Sequence, residues 1–321
     1  MSDSPFALQG VTLALAWFFA INLAASLFAI VVTRRFATRT DAPPSVWFTI
    51  RMLPAIAALA FVIALFVPSY WRFEPREAIE AFDVTLTICG LVAAGIIAVS
   101  TYRGAVVWRA AVRRTRVWMQ SARPTVLPGT TIPAFEIDSD MPILALAGIL
   151  RPRLLVTRGL LAALTPEELE ASVAHEIGHS QGRDNLKRLL MRSAPDLFGF
   201  TTAARAIERR WAAASEHRAD RIDAQAPAAR CALAAALVKV ARLTPSTPAL
   251  GEPISTLIGG GDIASRVRKL LDDGVATTTV ATKTRGVLVT LSVALVAATV
   301  LYAPTLRAVH EATETLVRLL P

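Results

Sequence analysis

The sequence predicts a mainly α membrane protein: four transmembrane helices, with a cytoplasmic α+β domain set between the third and the fourth. Three observations carry this. Hydrophobic residues make up 54% of the 321 positions and mean hydropathy is +0.48, too apolar for an ordinary soluble chain. Four charge-free apolar segments, at about 11–32, 52–71, 84–101 and 286–306, supply the excess. Each can cross roughly 30 Å of hydrocarbon at about 1.5 Å rise per residue. Between the third and fourth, the texture changes to prolines, short alternating runs and charged helical patterns. The expected organisation is a three-span region at 1–101, a domain at 102–285, and a last span with a short tail at 286–321.

The first span is interrupted by little beyond Asn22, and only Asp3 precedes it, so it reads as a retained anchor. Lysine and arginine set the orientation. Arg34, Arg35, Arg39 and Arg51 follow span one, while Arg72 and Arg76 after span two are outweighed by Glu74, Glu77, Glu80 and Asp83. Arg103, Arg109, Arg113, Arg114 and Arg116 follow span three; Arg266, Arg268, Lys269, Lys283 and Arg285 precede span four. The positive-inside rule then places both termini outside a bacterial inner membrane and the 102–285 region in the cytoplasm.

Past span three, Pro124, Pro128, Gly129 and Pro133 break helix. The alternation at 131–137, with short apolar runs at 143–147 and 154–157, predicts three strands, and Arg158-Gly159 a turn. A small sheet whose edge strand pairs with an extended peptide backbone is the expectation. Thr165-Pro166-Glu167-Glu168 then starts a helix, with Thr165 as N-cap, Pro166 at the first position and Glu168 closing a capping box. Leu169, Val173, Ala174 and Ile177 give it an apolar stripe, and no proline intervenes before Pro195.

On that helix lies His175-Glu176-Ile177-Gly178-His179. Residues four apart share a helix face, so both imidazoles can bind one metal ion, with Glu176 placed to take a proton from a water held there. Catalytic zinc needs a third protein ligand and keeps one position open. The candidate is Glu216, in Glu216-His217-Arg218-Ala219-Asp220 on a later helix; Asp220, four residues on, can accept the spare N–H of His175. HExxH with a downstream Glu is the zincin-like (gluzincin) pattern of a Zn2+ endopeptidase. No fourth protein ligand is evident, since His217 would point about 100° from Glu216; this disfavours a zinc-bound scaffold that cuts nothing. The three tyrosines lie in or beside the spans. His217 and Arg221 are therefore the candidates, by proximity alone, for stabilising an oxyanion.

Five elements in order carry a family resemblance: the run from Gly148 to Val156, Leu164-Thr165-Pro166-Glu167-Glu168-Leu169, HExxH, Arg183-Asp184-Asn185-Leu186, and Glu216 to Asp220. The stretch resembles the BlaR1/MecR1-type membrane metallopeptidases, peptidase family M56. The resemblance implies zinc on His175, His179 and Glu216, Glu176 as general base, and regulated cleavage of a transcriptional repressor or of the chain itself. The sensor domain of that family has no counterpart in the short tail, so a separate sensor or regulator protein is the expected partner, beside the protein substrate and the lipid bilayer. Family M48, the HtpX and Ste24 type, shares both motifs, with membrane helices commonly between them. Only 36 residues separate His179 from Glu216, without a span, which favours M56. An M48-like quality-control protease is the alternative.

The net charge of +9 clusters beside the spans, and no nucleic-acid-binding motif accompanies it, so direct nucleic-acid binding is not expected. Cys89 and Cys231 fall in different environments and suggest neither a disulfide nor a metal site.

Overall fold

The computed structural model describes residues 4–35, 42–75, 84–221, 227–243, 255–256, 263–272 and 302–318. Three helical rods are long and apolar enough to cross a membrane. The first is α1 (Ser4–Arg35); the third is α4 (Val84–Gln120). The second joins α2 (Pro44–Phe61) to α3 (Val67–Phe73) through one π turn, Val62–Phe66. That turn falls where Pro68 removes a backbone donor, and the carbonyl of Ala64, four residues earlier, accepts from the Tyr302 hydroxyl at 2.8 Å. The rods run up, down and up: Phe6 meets Tyr70 at one end, and Ala29 packs with Trp47 and Ile50 toward the other. Leu8, Leu27, Phe28, Ile63, Trp71 and Leu91 face outward, as a lipid-facing surface requires. This is a membrane protein. The fourth span expected at 286–306 lies outside the described residues except for 302–306, which open a helix over 302–318.

The third rod does not stop at the expected boundary. α4 continues to Gln120 and feeds β1 (Ala122–Thr125) directly. A five-stranded sheet follows in the order β1-β2-β4-β3-β5, with β2 (Ala134–Ile137), β3 (Leu144–Ala147), β4 (Arg153–Thr157) and β5 (Ser255–Thr256). β2 and β4 are parallel; the other pairs are antiparallel. The expected Arg158-Gly159 turn is instead the start of α5 (Arg158–Ala163), capped by the Thr157 side chain. The expectation of an edge strand open to a peptide is not met at β3, whose outer side is covered by the chain itself: Leu146 pairs with Ser255 and Ala145 with Thr256. A substrate cannot add there while β5 is in place.

α6 (Pro166–Gln181) lies on this sheet, its Thr165/Glu168 capping box formed in both directions. Ala171 and Val173, with Leu169 and Ile177 at the margin, join Leu144, Leu154, Val156 and Leu160 in one core. α9 (Pro227–Leu243) and α10 (Ile263–Asp272) close it with Leu233, Leu237 and Leu270. Each fully buried leucine contributes about 1.5–3 kcal/mol, so apolar packing alone fixes α6 on the sheet.

The helix expected to run unbroken toward Pro195 breaks at Gly182-Arg183, and α7 (Asp184–Ser193) begins in a new direction. Arg183 adopts a left-handed backbone, φ 51°. Gly182 sits so close to Arg218 that an added Cβ would lie 2.0 Å from the guanidinium, so a side chain here would expel it. α8 (Thr202–Asp220) then packs along α2 through Ile207 and Trp211.

The peptidase-side elements are seated in the rods by two polar residues. Asn22 of α1, wholly buried, donates to the Pro195 carbonyl and accepts from the Leu197 N–H, at 3.0 and 2.9 Å. Arg51 of α2, 1% exposed, binds Asp196 and Glu208 at 2.9 Å each and the Met191 carbonyl at 2.6 Å. The expectation that Arg51 is a loop charge orienting the chain is thus corrected: it is an internal tie.

Candidate metal centre

α6 and α8 bring His175, His179 and Glu216 together, all at most 1% exposed. The two Nε2 atoms are 3.2 Å apart, and the Glu216 oxygens lie 3.5 Å from His175 and 3.6 Å from His179. A tetrahedral ion with bonds of about 2.0–2.1 Å needs ligand-to-ligand edges of about 3.3 Å; the two imidazoles already stand at such an edge, and each has one of the two Glu216 oxygens close to that distance. The triad is positioned to bind a metal.

Each imidazole is oriented by a carboxylate behind it. His175 Nδ1 lies 2.9 Å from Asp220, the residue expected there from sequence. His179 Nδ1 lies 2.7 Å from Asp184, which also accepts from the Ser215 hydroxyl and from Arg218 at 2.7 Å. In sequence Asp184 stands only within the Arg183-Asp184-Asn185-Leu186 element, with no role of its own. Its neighbour Asn185 donates to the carbonyls of Leu146 and Gly148, both at 3.0 Å, and so ties α7 to β3.

Arg266 was expected to be a charge flanking the fourth span. It is 2% exposed, holds Asp220 through two bonds of 2.5 and 3.0 Å, and lies 3.1 Å from Glu216. The readable signal was its place on the apolar face of α10, four residues before Leu270 and next to Val267. His217 and Arg221 are not brought to the triad. His217 Nε2 sits 3.1 Å from Lys269 Nζ on an exposed face, and Arg221 caps α8 in solvent.

Electrostatics follow from burial. Desolvation pushes the Glu176 carboxyl up, and both of its oxygens are buried without a hydrogen-bond partner among the described residues. Desolvation also opposes charge on Glu216, but hydrogen bonds from His175 and His179 hold it well below the usual carboxylate range. Burial alone would lower His179; hydrogen bonds to Asp184 and Glu216 and the nearby carboxylate charges outweigh it and push it up to about 10.

A metal must displace that proton. Zinc uptake by the metal-free chain at pH 7 should therefore release protons, and apparent affinity should rise with pH up to about 10. Calorimetry in buffers of different ionisation enthalpy measures this, and buffer-independent heats would contradict it. Asp184→Asn should weaken zinc binding by about 10–100-fold, as loss of a carboxylate behind a ligand imidazole does. Competition with a chromogenic chelator reads the change, and unaltered affinity would leave Asp184 a purely structural role.

A buried HExxH helix, a downstream glutamate on a second helix, a small mixed sheet and three apolar rods define a membrane zinc metallopeptidase. The chain belongs to peptidase family M48, whose sequence profile matches residues 112–273. M48 peptidases are zinc metalloproteases, so the chain is a metalloendopeptidase. No curated protein matches it. This overturns the resemblance to family M56. The feature that favoured M56 is the short, span-free interval of 36 residues between His179 and Glu216. That interval lies wholly inside the M48 match, so it does not separate the families.

Proposed function

We propose that this protein hydrolyses internal peptide bonds of membrane proteins, as a quality-control protease of the bilayer. The observation that carries the reading is the position of α8. One helix bears Glu216 near its C-terminal end and packs on the rod α2 through Ile207 and Trp211, which supports a triad that works close to the membrane.

His175, His179 and Glu216 are the zinc ligands, and Glu176 is the general base. Zinc held there would supply a Lewis acid, lowering the pKa of water toward neutrality and polarising the scissile carbonyl. Glu176 takes the proton of the attacking water and delivers it to the leaving amine. Burial pushes its carboxyl up from the ordinary range. Asp220 and Asp184 hold the two imidazoles in the tautomer that leaves Nε2 free, and Arg266 fixes Asp220 in turn.

The membrane is the bacterial inner membrane, with the N-terminus outside and the peptidase in the cytoplasm. Arg34 and Arg35 at the end of α1 and the arginines of α4 beyond Tyr102 support this after Arg51 and Arg266 are removed from the count. The 302–318 helix supports an outer C-terminus, because Ser69, next to Tyr70 at the end away from the peptidase, donates to the Leu306 carbonyl at 2.7 Å.

The test compares wild type with Glu176→Ala in native membranes, mapping new protein N-termini by mass spectrometry. Cleavage of many membrane proteins, seen only with wild type, is the expected result. A single trimmed cytoplasmic repressor would replace quality control by signalling, and identical profiles would refute the reading.

A further inference from the structure

We propose that Glu74, His310 and Glu314 form a second divalent-cation site, at the end of the helical bundle opposite the peptidase. Glu74 follows the last turn of α3, its N–H still bonded to the Tyr70 carbonyl and its backbone already extended. His310 and Glu314 lie four apart on the 302–318 helix and so share a face. One donor atom from each of the three residues lies within 4.8 Å of the others. The closest measured approach is His310 Nδ1 to Glu74 at 3.7 Å. The imidazole ring is held in place by stacking on Phe73, with centroids 5.7 Å apart at 30°.

The three groups line a cleft of about 420 Å³ that also takes in Glu311 and Arg318. Among the described residues lining it are three carboxylates, Glu74, Glu311 and Glu314, and one guanidinium, Arg318, which lies 3.5 Å from Glu314. One imidazole and two carboxylates suit a borderline divalent ion such as zinc, with positions left for water. The catalytic donors stand at 3.2–3.6 Å, whereas His310 and Glu74 stand at 3.7 Å and these groups must draw together to reach tetrahedral edges. Glu314, 32% exposed, has the freedom to do so. The site is therefore a weaker, exchangeable one. Its occupancy ties the 302–318 helix to the end of α3.

The experiment uses untagged full-length protein in detergent, stripped with chelator, dialysed against Zn2+ and assayed for metal per chain. Wild type should hold one more equivalent than His310→Ala, and Glu314→Gln should show the same deficit should the first variant misfold. His179→Ala should keep the extra equivalent, which separates this site from the catalytic one. Equal metal content in wild type and both variants would overturn the proposal, whether that content is one equivalent or two.

Discussion

Glu176→Gln should lower peptide hydrolysis by the purified full-length protein about 10²–10⁴-fold while its zinc content stays unchanged. Glutamine keeps the shape of the side chain but cannot carry a proton. The position is 0% exposed, between the two imidazoles that frame the metal, and no other described residue bonds its oxygens. No second carboxylate stands ready to substitute, because Glu216 is engaged by both histidines and Arg266. The loss should fall on kcat, with KM nearly unchanged, since Glu176 acts on the proton and not on substrate grip. A variant retaining a tenth of wild-type activity would remove Glu176 from proton transfer. One that lost its zinc would show it acting through the fold.

Arg51→Ala should destabilise the protein by about 3–5 kcal/mol, the usual result of removing one partner from a buried ion pair. Asp196 is wholly buried and would be left with only the backbone N–H of Gly199. Burial already pushes the Asp196 carboxyl up, and Arg51 is its principal opposing charge. Without the arginine, Asp196 takes up a proton or admits water. Glu208 on α8 would lose the same partner. The tie between rod and peptidase then fails at both of its acidic ends, and zinc affinity should fall with it, since α8 also carries Glu216. Thermal unfolding in detergent measures the loss; a change below about 1 kcal/mol would show that apolar packing of Trp47 and Trp211 suffices.

What was legible in sequence was the local part. Spacing four apart on a capped helix placed both histidines, and the same spacing placed Glu216 and Asp220, because helix periodicity is a property of neighbouring residues. The strands β2, β3 and β4 were readable within a few residues for the same reason. Partners contributed by distant segments were not. Arg266 reaches the triad across 91 positions from His175, and Arg51 reaches Asp196 across 145. Both are arginines whose charge near apolar runs was read as orienting the chain. In each case the better signal was an arginine on the buried face of its own helix, which is costly unless paired. β5 and the cover it gives to β3 left no signal in a two-residue strand. The family itself was misassigned because the span-free interval was taken as decisive, whereas it occurs within M48.

The seat formed by Asn22 and Arg51 also bears on the order in which the chain can assemble. Synthesis delivers α1 and α2 to the bilayer long before α8 leaves the ribosome. The last zinc ligand therefore arrives at a bundle already inserted, and docks against it. A chain stranded in water has no such bundle: Asp196 and Glu208 find no Arg51 in place, and Ile207 and Trp211 have nothing to cover them. The helix that carries Glu216 is thus held in its place only once the rods beneath it are assembled.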